Sequence, residues 1–222
     1  MTRVVLKLGG AVAAHVATQA LELTRAGDEV VVVHGAGRQI SAELRRRGIP
    51  VEFVGGRRVT SPAALVVVRE SLHAVGAEVS AALGAAALPL SGDEIGLRAT
   101  PVPELGLVGD PLPCCPPAIV DALDRGRIPV VAPLAVGPLN VNADEAASAL
   151  AVGLDADRLV FVSDVPGVFV EGALAARLHV GDADSLLSAG AFEGGIVPKL
   201  MAAVRAAREG VHASIGSTEV LA

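Results

Sequence analysis

Arg3-Val4-Val5-Leu6-Lys7-Leu8-Gly9-Gly10 is an apolar strand that carries one lysine near its end and then breaks on two glycines. Removing an unpaired ammonium from water is costly, so the lysine needs a partner or a route back to solvent. The glycines beside it offer bare backbone that a phosphate can approach closely. Two readings stay open on this stretch alone. Lys7 is either a strand-end lysine that snorkels to water or a ligand for an anion.

Working outward, the same strand-then-helix pattern repeats. Strands are expected near 3–8, 29–34, 86–90, 128–133, 158–163 and 212–215, and helices near 12–26, 37–48, 62–84, 117–126, 143–153 and 197–209. Ser61-Pro62 reads as a helix cap followed by proline at the first helical position, and Gly48 and Gly210 follow basic last turns. Asn142 with Glu145 three residues on fits a capping box. The alternation predicts an α/β fold, a three-layer αβα sandwich around an open, mostly parallel sheet. The stretch 95–112, with Pro101 and Pro103, reads as a hairpin excursion. The 222 residues suffice for a single domain, with two closely joined lobes expected at about 1–145 and 146–222.

Composition narrows the function classes. Hydrophobic residues are 52% and aromatics 2%, without Trp or Tyr, so the core must be built from Ala, Val and Leu. Mean hydropathy is +0.57, yet no apolar run approaches the ~18–20 residues of a membrane span. A net charge of −6 argues against nucleic acid as partner. No leader-like stretch precedes the first strand, and Cys114 and Cys115 are adjacent, which suits neither a disulfide framework nor a zinc site. A cytoplasmic protein with no membrane partner is expected. Cys114 and Cys115 are taken as structural.

In open α/β sheets, ligands bind beyond the carboxyl ends of the strands, and here those ends are chemically loaded. They run Lys7-Leu8-Gly9-Gly10, His34-Gly35-Ala36-Gly37, Asn140-Val141-Asn142-Ala143-Asp144 and Ser163-Asp164-Val165-Pro166-Gly167. Each has a plainer reading. Gly35 to Gly37 also suits a tight strand-to-helix turn, Asp144 a first-turn acid favoured by the helix dipole, and Asp164 a turn former. His34 is read as a core histidine rather than a catalytic one. Lys199, in the first turn of its helix, is an unfavourable cation unless an anion lies nearby. Gly55-Gly56-Arg57-Arg58 offers either solvated arginines or a guanidinium clamp for a carboxylate. No Walker pattern and no protein-kinase set is present.

Taken together, Lys7-Leu8-Gly9-Gly10, Val33-His34-Gly35-Ala36-Gly37, Gly56-Arg57-Arg58-Val59-Thr60, Leu139-Asn140-Val141-Asn142-Ala143-Asp144, Ser163-Asp164-Val165-Pro166-Gly167 and Gly194-Gly195-Ile196-Val197-Pro198-Lys199 resemble the amino acid kinase family. Within it they are similar to the acetylglutamate kinase branch rather than to uridylate or carbamate kinases. The resemblance implies an amino acid kinase/carbamate kinase-like fold. It also implies transfer of the ATP γ-phosphoryl group to the γ-carboxylate of N-acetyl-L-glutamate, the second step of arginine biosynthesis. By that likeness Lys7 and Lys199 would neutralise the transferring phosphoryl, with Asp144 holding both and Gly10 beside them. The N–H groups of Gly9, Gly10, Gly35 and Ala36 would line the reacting groups. Arg58 and Asn140 would grip the acid. The nucleotide would meet Ser163, Asp164, Val165, Gly167 and Gly195, with Mg²⁺ held by nucleotide phosphates and water and no protein metal site.

The likeness has departures. Ala36 and Ile196 stand where glycine and methionine are frequent, and the chain is short after Ile215-Gly216, which puts the edge of the nucleotide lobe in question. With no helix ahead of the first strand, a homodimer insensitive to arginine is expected, paired through the helix at 62–84. Two rivals are weighed. A kinase for a carrier-linked aminoadipate would want a longer serine-containing insertion before the Arg-x-Thr turn. A catalytically silent ligand sensor would have no need of Lys7, Asp144 and Lys199 together.

Overall fold

The computed structural model describes residues 1–9, 13–162 and 165–222, and for 13–16 the backbone alone. One eight-stranded sheet runs from edge to edge as Arg177–His179, Thr218–Leu221, His212–Ile215, Arg158–Val162, Arg3–Leu8, Glu29–His34, Ile128–Ala132 and Ala87–Ser91. The six strands from His212–Ile215 to Ala87–Ser91 are parallel, and Thr218–Leu221 turns back antiparallel to form the reversed edge with Arg177–His179.

Among the described residues seven α-helices cover the sheet: α1 (Ala13–Arg25), α2 (Gly37–Arg46), α3 (Pro62–Leu83), α4 (Pro117–Asp124), α5 (Ala143–Gly153), α6 (Val180–Ser188) and α7 (Ile196–Arg208). The central strands are apolar on both faces because both faces are covered. Val4, Leu6, Val30 and Val32 pack toward α1, α2 and α3, while Val5, Val31, Val33 and Phe161 pack toward α4, α5, α6 and α7. Each fully buried Val or Leu of these strands contributes roughly 1.5–3 kcal/mol. The alanine content has a clear use. Ala146, Ala147, Ala202, Ala203 and Ala206 are buried where α5 and α7 meet, and small side chains let the two helices approach closely. The three-layer αβα expectation is met.

Local signals act as read, with one exception. Ser61 accepts a hydrogen bond from the Ala64 N–H at 3.2 Å, and Pro62 opens α3. Gly48 and Gly210 follow α2 and α7 with φ of +68° and +86°, conformations that favour glycine. The capping box forms only in part. The Asn142 carboxamide accepts from Asp144 and Glu145 N–H groups, while Glu145 turns away to Arg57. The 95–112 hairpin is present as Ala99–Pro101 against Val108–Pro111, but it belongs to a four-stranded sheet completed by Leu134–Ala135 and Leu139–Val141. The sequence reading had no place for the strands at 177–179 and 218–221 or for α6. Pro113-Cys114-Cys115-Pro116 crosses the end of α5, where a Cβ on Gly153 would sit 2.2 Å from the Cys114 backbone. Both cysteines are free thiols.

Strand order fixes where a ligand can enter. From Arg3–Leu8 the chain winds outward through Glu29–His34 toward one edge, and later returns to add Arg158–Val162 on the other side. The first strand is therefore the topological switch point, and a crevice opens at its carboxyl end. That end is Lys7-Leu8-Gly9.

Candidate active site

Lys7 stands in register between Val33 and Phe161, on the face that packs toward α5 and α7. Neither neighbour can pair with an ammonium. Its partner comes from α5, whose first turn sets Asp144 Oδ1 at 2.7 Å from Lys7 Nζ. Lys7 and Asp144 are each only 5% exposed. Lys199, in the first turn of α7, brings its Nζ to 3.7 Å from Asp144 Oδ2 and donates to the Gly195 carbonyl at 3.4 Å. One carboxylate thus bridges two ammonium groups. Burial pushes the Lys7 pKa down, Asp144 pulls it up, and Lys199 pushes it down again.

A cavity of about 410 Å³ opens over this triad, lined by Lys7, Gly9, Ala36, Arg58, Asn140 and Lys199 among others. The amino end of α2 opens into the same space. Its cap residue Ala36 makes no side-chain cap, and its carbonyl takes the first helical bond from Ile40. The leading N–H groups of a helix lack intrahelical partners and favour an anion. Ala36 has φ of −137°, so the backbone here does not require glycine.

The glycines act differently from expectation. The Gly9 N–H donates to Val162 O at 3.1 Å and the Gly35 N–H to Leu8 O at 3.2 Å. Both donors are taken up by strand carbonyls and extend the sheet hydrogen bonding. What these glycines supply is space. A Cβ on Gly9 would lie 3.4 Å from Lys7 Nζ, and one on Gly35 would lie 3.4 Å from the Ala143 Cβ at the start of α5. Gly10 lies outside the described residues.

At the other end of the cavity a two-residue turn, Gly55-Gly56, joins Phe53–Val54 to Arg57–Arg58. Its φ values of +55° and +79° suit glycine and match the hairpin twist. Arg58 Nη2 donates to the Gly37 carbonyl at 3.0 Å and to Ser41 Oγ at 2.8 Å, and the guanidinium lies 4.5 Å from the Phe53 ring centre. Its Nη1 is buried and has no partner among the described residues. Burial, with Arg45 a lesser cause, holds the Arg58 pKa below its ordinary value. A guanidinium that lines the cavity, has one buried nitrogen without a partner and pairs with no carboxylate among the described residues is suited to bind one. Asn140 Nδ2 donates to the buried Thr60 hydroxyl at 2.9 Å, which fixes the carboxamide at the cavity wall.

Arg57 points elsewhere, to Glu145 and Asp110, so the Arg57-Arg58 pair is not a two-armed clamp. Asn142 was read only as a cap, yet it lines the cavity, and its Nδ2 donates to the Gly56 carbonyl at 3.2 Å. The signal for that second duty was its place two residues after Asn140. His34 lies on the opposite face at 1% exposure, where a Cβ on Gly76 would come within 3.0 Å of its Nε2. Burial, with His73 a lesser cause, lowers its pKa to about 4. It is a core histidine, as read.

Ser163 and Asp164 lie outside the described residues. Val165 is exposed, and Gly167 is buried under the last strand, where a Cβ would meet Thr218 Oγ1 at 2.5 Å. Neither lines the cavity, whereas Gly195 does. The short end of the chain braces this loop. Ser217 donates to the Pro166 carbonyl through both N–H and hydroxyl, and the Val168 N–H donates to Thr218 Oγ1. Among the described residues no group of three or more His, Cys, Asp or Glu could hold a metal.

The sequence profile of the amino acid kinase family matches residues 2–217. An acetylglutamate kinase from Kineococcus radiotolerans is 44% identical over 218 residues, covering 85% of this chain and 72% of that protein. The crystal structure of smu.665 from Streptococcus mutans UA159 superposes with a TM-score of 0.89 at 28% identity, covering 99% of this chain and 98% of that one. A carbamate kinase from Giardia lamblia bound to citric acid shares the fold, with a TM-score of 0.74 at 17% identity over 99% and 98% of the two chains.

Proposed function

The chain belongs to the amino acid kinase family, and from that premise we propose that it is an acetylglutamate kinase. It transfers the γ-phosphoryl group of ATP to the γ-carboxylate of N-acetyl-L-glutamate, giving the acyl phosphate and ADP. The observation that carries this reading is one cavity lined both by the Lys7–Asp144–Lys199 bridge and by Arg58, whose guanidinium keeps one nitrogen unpartnered among the described residues. A cavity with cations of both kinds suits an acid with two carboxylates.

The reaction needs little from protein acid–base groups. A carboxylate oxygen is already a nucleophile. It attacks the γ-phosphorus, the bond to the bridging oxygen breaks, and ADP leaves with that electron pair. The barrier lies in bringing anions together in line, so positioning and charge neutralisation carry the catalysis. Lys7 and Lys199 neutralise the transferring group, and Asp144 keeps both ammonium groups charged and aimed without acting as a base. Arg58 and Asn140 hold the α-carboxylate end of the acid. The leading N–H groups of α2 face the bound anions. Asp144 is already paired with two lysines, so a Mg²⁺ would be held by the nucleotide's own phosphates and would supply charge neutralisation there.

Residues 1–145 are assigned to the acid and 146–222 to the nucleotide, which is cradled by Val165, Gly195 and the neighbouring loop. The working form is taken as a cytoplasmic homodimer paired through α3. Hydroxylamine trapping of acyl phosphate, with ATP, Mg²⁺ and a panel of acids, tests the assignment. N-acetyl-L-glutamate should give the strongest signal. Turnover of a free amino acid or of carbamate in its place would overturn it.

A further inference from the structure

We propose that Arg57 is a positioning residue whose ion pairs with Glu145 and Asp110 set the hairpin over the acid and so control affinity for it. The proposal rests on the acid-kinase reading of the cavity. The hairpin cannot hold itself. Its strands are two residues each, its turn is Gly-Gly, and Phe53 and Val54 are about half exposed; an isolated hairpin of this size is unstable in water. Its place is therefore set by what it touches, and Arg57 makes its strongest contacts.

Arg57 Nε donates to both Glu145 oxygens at 3.0 Å, and its Nη2 donates to Asp110 Oδ1 at 2.8 Å. Asp110 also takes Arg205 Nη1 at 3.3 Å, while Arg205 Nη2 donates to the Pro111 carbonyl at 2.9 Å. The side chains of Arg57 and Glu145 are 22% and 16% exposed, which makes their pairing firmer than that of a solvated ion pair. Burial pushes the Glu145 pKa up and Arg57 opposes that shift.

Sequence adjacency gives the network its meaning. Arg57 precedes Arg58, which lines the cavity. Glu145 follows Asp144, which bridges the lysines. Arg205 lies on α7, the helix that carries Lys199, and the hairpin turn itself reaches α7, since a Cβ on Gly56 would lie 3.4 Å from Pro198 Cβ. One four-membered charge network therefore joins the three elements that hold Arg58, Asp144 and Lys199. A brace of this kind fixes how far the acid-binding arginine stands from the phosphoryl-binding lysines.

The test is steady-state kinetics on the full chain for Arg57→Gln, Arg57→Lys, Glu145→Gln and the double variant Arg57→Gln/Glu145→Gln, with thermal melting alongside. Each Gln single variant should raise KM for N-acetyl-L-glutamate about tenfold, with KM for ATP and kcat changed far less. The double variant should be no worse than the poorer single, because both remove the same bond. Arg57→Lys should recover part of the loss, as a single ammonium reaches one carboxylate but not both. Lower melting temperatures with KM for the acid unchanged would reduce the network to a structural brace and overturn the proposal. Equal rises in both KM values would do the same. If Arg57→Gln does not fold, Asp110→Asn removes one arm and should still raise KM for the acid. Should the wild type ignore N-acetyl-L-glutamate, the functional reading fails first, and the variants are then compared with whichever acid it phosphorylates.

Discussion

Replacing Asp144 by asparagine keeps the size of the side chain and removes one charge from between two ammonium groups. At an effective dielectric of about 20, a unit pair at the 2.7 Å of Lys7 and Asp144 attracts by about 6 kcal/mol, and one at 3.7 Å by about 4 kcal/mol. Desolvation offsets most of this, and removing one partner of a buried pair typically leaves a net loss of about 3–5 kcal/mol. That is a large share of the ~5–15 kcal/mol that holds a domain of this kind together, so the variant should fold but melt early. Lys7 would keep burial and Lys199, which both lower its pKa, and lose Asp144, the cause that raises it. Its charge should therefore be lost as pH rises, and the defect in turnover should deepen in alkaline buffer. Loss of a preorganised charge contact to a developing transition state predicts a fall in kcat of about 10²–10³. The double variant Lys7→Met/Asp144→Asn discriminates cause. Removing the orphaned ammonium should return part of the stability lost in Asp144→Asn while activity stays low. Urea unfolding and ADP release measured together decide it. If kcat stays near wild type, or the two substitutions destabilise additively, the bridged-lysine account is wrong.

Arg58→Gln should raise KM for the acid by about 10- to 100-fold, the worth of one charge-assisted hydrogen bond, and leave KM for ATP nearly unchanged; an equal rise in both would detach Arg58 from the acid. His34 titrates at about 4 in the fold against an ordinary 6.5. Below pH 6.5 the unfolded chain binds the extra proton, so the protein should lose stability as pH falls, about 2 kcal/mol by pH 5. His34→Gln should flatten that slope in urea unfolding, and an unchanged slope would place the titration elsewhere. Gly153→Ala drives a methyl group into the Cys114 backbone and should cost about 1–3 kcal/mol, read as a lower melting temperature with Ellman titration showing Cys114 newly reactive.

Much of the fold was open to reading because the central strands are apolar on both faces. Val30 to Val33 and Val4 to Leu6 give uninterrupted runs, and cap residues such as Ser61 mark where helices begin. The reversed edge was not readable for the opposite reason. Arg177–His179 and Thr218–Leu221 alternate in burial over only three and four residues, with Arg177, His179 and Glu219 as polar members, too short a pattern to stand out from a loop. In the site, Lys7 and Lys199 each called for an anion, whereas Asp144 alone also suited a first-turn acid, and the bridge between them was implied by the family resemblance. Glycine was less informative. Gly9 and Gly35 signal close approach, but whether an N–H faces a ligand or a neighbouring carbonyl depends on partners such as Val162 and Leu8. Arg57 was beyond reach, because its carboxylates lie 88 and 53 residues away in the chain.

The strand Thr218–Leu221 is not at an edge. It is hydrogen-bonded on one side to His212–Ile215 and on the other to Arg177–His179, and Thr218 also holds the 165–168 loop. Arg177–His179 is therefore tied to the parallel strands only through Thr218–Leu221. Substitutions that break the pairing of Thr218–Leu221 should release Arg177–His179 as well, and leave backbone donors and acceptors exposed to pairing with other chains.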